Sequence, residues 1–222
     1  MSAAVDLGVS KDAALSTVFA SNESAVAALM RLYAREGQTV ADVTYGRGVF
    51  WKAVPFVESL YSFRPSDLLT GTDFRNLPYP GSDVDVLVLD PPYRYTPEKN
   101  QAHVTDAQYQ LQASAPTRTQ GVIELYGDGL REAHRVLKTG GFAFVKCQDT
   151  VQDGKNIWTH CELMREAEAL GFAVRDLAVV VNDSAPATRW SFQRHLRKHH
   201  SYFLVLRKGG HFPFGLPSVE KR

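Results

Sequence analysis

Residues 90–93 read Asp-Pro-Pro-Tyr, a combination suited to gripping an amino group attached to an aromatic ring. Such a nitrogen is a poor nucleophile, because its lone pair is delocalised into the ring. Acceptors aimed at its two hydrogens draw it towards a tetrahedral state and free the pair. The Asp90 carboxylate supplies one acceptor and the Pro91 carbonyl the other. Proline at 91 and 92 fixes φ, so both acceptors are held rigidly. Tyr93 adds a π-face for a base, a contact worth about 1–3 kcal/mol where base stacking has been measured. The competing reading is a strand ended by a Pro-Pro turn, with Asp90 a surface carboxylate.

About 40 residues upstream lies a second segment with chemical content, Asp42-Val43-Thr44-Tyr45-Gly46-Arg47-Gly48. Glycines at 46 and 48 let a backbone approach a ligand closely, and Asp42 at the strand end can accept hydrogen bonds from one. Position 51 is Trp51 rather than a third glycine, and no Gly-Lys-Ser/Thr follows. Neither a dinucleotide fingerprint nor a phosphate-gripping loop is present, so the ligand need not carry phosphate. Asp67, 19 residues after Gly48, stands where a carboxylate can take ribose hydroxyls. Asp73 could accept from an adenine amino group. The alternative for both is a solvated carboxylate or a helix N-cap.

These residues need a scaffold, and the hydrophobic pattern supplies one. Val84–Leu89 is a nearly unbroken aliphatic run, the mark of a central parallel strand, and it feeds directly into Asp90. Strands are also predicted at 39–44, 142–147, 172–181 and 202–206. Helices are predicted at about 23–36 with Asn22 as N-cap, 49–60, 121–137 and 157–170. The alternation implies an α/β fold: a doubly wound, mostly parallel sheet of the seven-stranded type with an antiparallel edge, ligands binding beyond the carboxyl ends of the strands. One domain spans 1–222. Residues 1–15 and 209–222 read as flexible, and 94–120 and 182–200 as insertions able to recognise a target.

Composition bounds the rest. Charged residues make up 22% and the formal net charge is +1, so any attraction to nucleic acid must be local. The local candidate is 189–200, where Arg189, Arg194, Arg197 and Lys198 accompany Trp190 and Phe192; a solvated basic connector is the competing reading. Cys147 and Cys161 lack zinc or disulfide spacing and read as reduced thiols in a cytoplasmic protein. Neither follows proline, so cytosine C5 methylation, which needs a thiolate usually set in Pro-Cys, has no residue to carry it. His195 and His199 are too weakly supported to suggest a metal, and no membrane span is expected.

Taken together, the chain resembles the amino-methyltransferases of DNA, the N6-adenine and N4-cytosine group. Asp42 through Gly48 is similar to that family's cofactor motif, usually Asp-x-Phe-x-Gly-x-Gly, with Thr44 where Phe is common and Tyr45 aromatic one place later. Asp90-Pro91-Pro92-Tyr93 matches the catalytic motif in full. Residues 16–22 resemble the N-terminal cofactor-contact segment, which brings in Phe19 and Asn22. The resemblance implies S-adenosyl-L-methionine as cofactor, held by Phe19, Asn22, Asp42, Thr44, Tyr45, Gly46, Gly48, Asp67 and Asp73. It also implies catalysis by Asp90, Pro91, Pro92 and Tyr93 on an extruded base. DNA is the expected partner, with RNA as the alternative, for a monomer or homodimer. Adenine N6 is favoured because Ser often opens the tetrapeptide of cytosine enzymes. Cytosine N4, an RNA base amino group and a non-catalytic subunit of the same fold are the rival readings.

Overall fold

The computed structural model describes residues 16–54, 56–92, 119–181 and 194–209. Tyr93, Arg189, Trp190, Phe192 and the greater part of both recognition insertions lie outside them.

Among the described residues, nine strands and four α-helices follow in the order β1 (Val18–Phe19), α1 (Asn22–Tyr33), β2 (Thr39–Asp42), α2 (Val57–Leu60), β3 (Ser62–Pro65), β4 (Val84–Leu89), α3 (Thr119–Val136), β5 (Leu137–Cys147), β6 (Thr150–Gln152), β7 (Lys155–Ile157), α4 (Thr159–Ala169), β8 (Phe172–Val181) and β9 (His200–Lys208). Seven strands form one sheet in the order β1-β8-β9-β5-β4-β2-β3, and β6 with β7 forms a separate hairpin. Within the large sheet β9 runs antiparallel to both β5 and β8, while the other pairings are parallel. The antiparallel flank is therefore the late β8–β9 pair, closed by the two-residue β1.

β4 is central and buried on both faces, which its aliphatic run requires. Leu87 and Leu89 join Tyr126, Leu130 and Leu163 of α3 and α4 on one face. Val86 and Val88 join Val26 and Met30 of α1, with Trp51, on the other. Both faces of the sheet are thus covered, as a parallel sheet demands. No helix among the described residues is long and apolar enough to cross a membrane.

Four local expectations change. Ser21, not Asn22, caps α1, its side chain accepting from the Ser24 N–H. The single helix expected over 49–60 is a 3₁₀ turn at Val49–Trp51 and, after Phe56 at φ 58°, a short α2; Pro55 between them cannot donate to a helical ladder. β5 begins at Leu137, five residues early, through a register shift opposite Val84 and Val86. The β6–β7 hairpin was not anticipated, although its turn is Asp153-Gly154 with φ of 52° and 71°, the Asp-Gly signature of a tight two-residue hairpin.

Candidate active site

Asp90 follows β4 directly and its side chain is 16% exposed. Its backbone N–H donates to the Thr44 hydroxyl at 2.7 Å, which ties the end of β4 to the glycine turn after β2. Lys146 Nζ stands 3.7 Å from Asp90 Oδ2 and 5.2 Å from the centre of the Phe50 ring. The other carboxylate oxygen, Oδ1, is buried and has no hydrogen-bond partner. Burial pushes the Asp90 carboxyl above its ordinary range, and Lys146 opposes that. A buried acceptor left open beside a cation is suited to a ligand N–H. The Pro91 carbonyl accepts from the fully buried Tyr126 hydroxyl at 3.3 Å, which also donates to the Lys146 carbonyl at 2.6 Å. Tyr126 therefore braces the second acceptor of the motif against β5.

The glycine turn is held from below by Asp42. That side chain is 1% exposed and accepts from Trp51 Nε1 at 2.7 Å and from the Thr44 N–H at 3.1 Å. Burial first, and the Asp90 charge in addition, push its carboxyl up to about 7. Gly46 and Gly48 both have positive φ, 53° and 65°. At Gly48 a Cβ would fall 2.5 Å from the Tyr45 hydroxyl, so both conformation and space call for glycine. The Tyr45 ring meets Phe63 edge-on.

Asp67 serves both ends of this arrangement. One oxygen caps the 3₁₀ turn Leu68–Thr70 through the Leu69 and Thr70 N–H groups. The other accepts from the Gly46 N–H at 2.9 Å. Asp73 is instead engaged by Arg75, whose guanidinium Nη2 lies 2.6 Å from Oδ2, and that pairing holds its carboxyl below the usual range. A pocket opens between these segments, walled by Val43, Thr44, Gly46, Asp67, Leu68, Leu69, Phe74, Asp90, Pro91 and Pro92. Phe19 is partly buried against the core cluster that holds Val26, Met30 and Val88, and Asn22 Oδ1 is buried without a partner; neither lines that pocket.

The family model for the N6/N4 methyltransferases, described as DNA methylase, matches residues 84–222. The chain belongs to the N6/N4 DNA methylase family. No curated protein matches it. Among solved structures, the Burkholderia thailandensis 1,6-didemethyltoxoflavin-N1-methyltransferase, with S-adenosylhomocysteine bound, is 15% identical at a TM-score of 0.52, over 86% of this chain and 80% of that one. A Thermus thermophilus protein described as a DNA modification methylase, complexed with S-adenosyl-L-methionine, is 17% identical at 0.40, over 63% and 51%. TrmN from Thermus thermophilus is 20% identical at 0.47, over 84% and 48%. The chain spans about half the length of these two Thermus proteins. Identities this low describe the fold, which is the Rossmann-like fold of S-adenosylmethionine-dependent methyltransferases.

The cofactor is S-adenosyl-L-methionine, and the residues lining the pocket are chemically compatible with it. The left-handed glycine turn admits a ligand against bare backbone, and Leu68, Leu69 and Phe74 give an apolar wall for a purine. Asp90 Oδ1 is the open acceptor at the inner end. Sequence reasoning missed this wall, since Leu68 and Leu69 carry no chemical signal. It also left the direction of Lys146 undecided; the structure points that side chain at Asp90.

Of the basic residues, Arg194, Arg197 and Lys198 are described and precede β9, at the carboxyl edge of the parallel strands. Lys198 Nζ bonds Asn156 Oδ1 at 2.9 Å, and His195 Nε2 lies 2.8 Å from the Gly154 carbonyl. The basic segment is thereby pinned to the β6–β7 hairpin.

Proposed function

We propose that this methylase transfers a methyl group to the exocyclic amino group of a base in DNA, with adenine N6 as the target. The observation that carries the reading is the partly buried Asp90 carboxylate, whose buried Oδ1 has no partner, at the end of the central strand and on the wall of the pocket. Asp90 Oδ1 and the Pro91 carbonyl accept from the two amino hydrogens and free the nitrogen lone pair. The bound cofactor supplies the electrophilic methyl on a sulfonium. Lys146 favours the anionic form of Asp90 against the burial that opposes it, and Tyr126 keeps the Pro91 carbonyl in place. The proton shed by the nitrogen leaves along the hydrogen bond to Asp90. Most of the acceleration comes from positioning and fixed charge.

The target base leaves the duplex stack, at a cost of a few kcal/mol, and Tyr93 provides the face on which it rests. Asp rather than Ser at the head of the tetrapeptide supports adenine over cytosine. Arg189, Arg194, Arg197 and Lys198 contact the phosphates. The deciding experiment is nucleoside mass spectrometry of host DNA and RNA after expression, with Asp90→Ala as control. N6-methyladenine in DNA is expected. N4-methylcytosine would move the target base, and modification confined to RNA would overturn the choice of polymer.

A further inference from the structure

At the carboxyl edge of the sheet, rings line up outside the pocket already described. Trp158 precedes α4 and is 50% exposed, unusual for so large an apolar side chain. It meets His160 edge-on at 6.4 Å, and His160 lies over Tyr202 at 4.5 Å with 33° between the planes. The fully buried Asp149 carboxylate fixes the inner two, holding His160 Nδ1 at 2.7 Å and accepting from the Tyr202 hydroxyl at 3.4 Å. Lys198 Nζ sits 4.7 Å from the centre of the Trp158 ring. Tyr202 pairs with Cys147 across β5 and β9 and packs on the α3–α4 face of the sheet, so the row leaves the carboxyl edge on the face opposite the Lys146 side chain.

Rings locked in orientation, an exposed indole at the outer end and a cation on its face make a surface for flat groups joined by anions. We propose that Trp158, with His160 and Tyr202 behind it, is a stacking platform for unpaired DNA bases flanking the target. The inference rests on the DNA reading above and deepens it. Exposed bases stack on the indole while Lys198, with Arg194 and Arg197 in the same segment, neutralises the adjoining phosphates. Stacking needs no particular base, so the platform holds the opened strand without selecting a sequence.

The test uses the full chain with S-adenosylhomocysteine and two fluorescein-labelled probes of equal charge, an oligodeoxythymidylate of about twelve nucleotides and an abasic oligomer of the same length. The protein should bind the thymidylate more tightly than the abasic strand. Trp158→Ala should weaken thymidylate binding by roughly 5- to 150-fold, the range expected for losing one stacked base. It should leave abasic binding and cofactor affinity unchanged, and Trp158→Phe should restore most of the loss. Equal thymidylate binding by Trp158→Ala and the unaltered protein overturns the platform and leaves the DNA reading intact. No binding of either probe by the unaltered protein overturns both. Tighter, Trp158-dependent binding of oligouridylate would reassign the platform to RNA.

Discussion

The Lys146 ammonium and the Asp90 carboxylate form an ion pair, 3.7 Å apart, between side chains only 7% and 16% exposed. Burial raises the carboxyl and the cation lowers it, so the pair sets the pH at which the acceptor is available. Methyl transfer should rise with pH as Asp90 ionises, on a limb above the ordinary aspartate range. Lys146→Met should move that limb to higher pH while cofactor affinity stays the same. Single-turnover rates across a pH series check this; an unmoved limb would mean that Lys146 does not tune Asp90.

Asp90→Ala removes the open acceptor itself. The rate of methyl transfer should fall by at least about 100-fold, comparable to losing a group that stabilises charge in a transition state. The circular dichroism spectrum and S-adenosylhomocysteine affinity should be retained. Radiolabelled methyl incorporation is the direct readout.

Asp42 gives the fold a pH dependence of its own. Burial pushes its carboxyl from about 3.8 in the unfolded chain up to about 7 in the folded one. Between those values the folded state binds more protons, so stability falls as pH rises. The favourable contribution is fully present below about pH 4 and gone above about pH 7, on the order of 4 kcal/mol in all. Urea midpoints should therefore drop across this window, and Asp42→Asn should flatten the drop.

Gly48→Ala places a methyl group against the Tyr45 hydroxyl in a left-handed backbone. The conformation alone costs about 1–2 kcal/mol for a residue with a Cβ. Displacing Tyr45 and distorting the turn should weaken S-adenosylhomocysteine binding by roughly 5- to 30-fold, as read by titration calorimetry.

Arg194→Ala and Arg197→Ala should each weaken binding of duplex DNA evenly across sequences. Each should reduce the slope of log affinity against log salt by about one. Fluorescence anisotropy at several salt concentrations reports both, and an unaltered slope would locate the phosphate contacts on another face.

Much of the site was legible because its chemistry is local in sequence. Residues 90–93 suggest a chemistry of their own, and the aliphatic run before them puts Asp90 directly after a strand end. Gly46 and Gly48 were legible for the same reason. What could not be read was who occupies whom. Asp42 and Asp67 look alike as carboxylates at strand ends, yet Asp42 is spent on Trp51 and Thr44 while Asp67 caps a turn and holds Gly46. The pairing of Asp73 with Arg75 was not legible, because Arg75, two positions on, gives no warning that it folds back. Lys146 from β5 and Tyr126 from α3 reach the site from 56 and 36 positions beyond Asp90, a relation that only the tertiary fold reveals. The broken helix at 49–60 and the Asp153-Gly154 hairpin are different: both signals, a proline and a turn dipeptide, stood in the sequence.

The placement of β9 has a consequence for how the chain is made. β9, the last of the described strands, slots between β5 and β8, so until residue 208 is made both neighbours carry bare, sticky rims. Closure waits for long-range pairing, which makes folding slow. A nascent or clipped chain lacking this strand should clump with its own kind rather than idle as a soluble fragment.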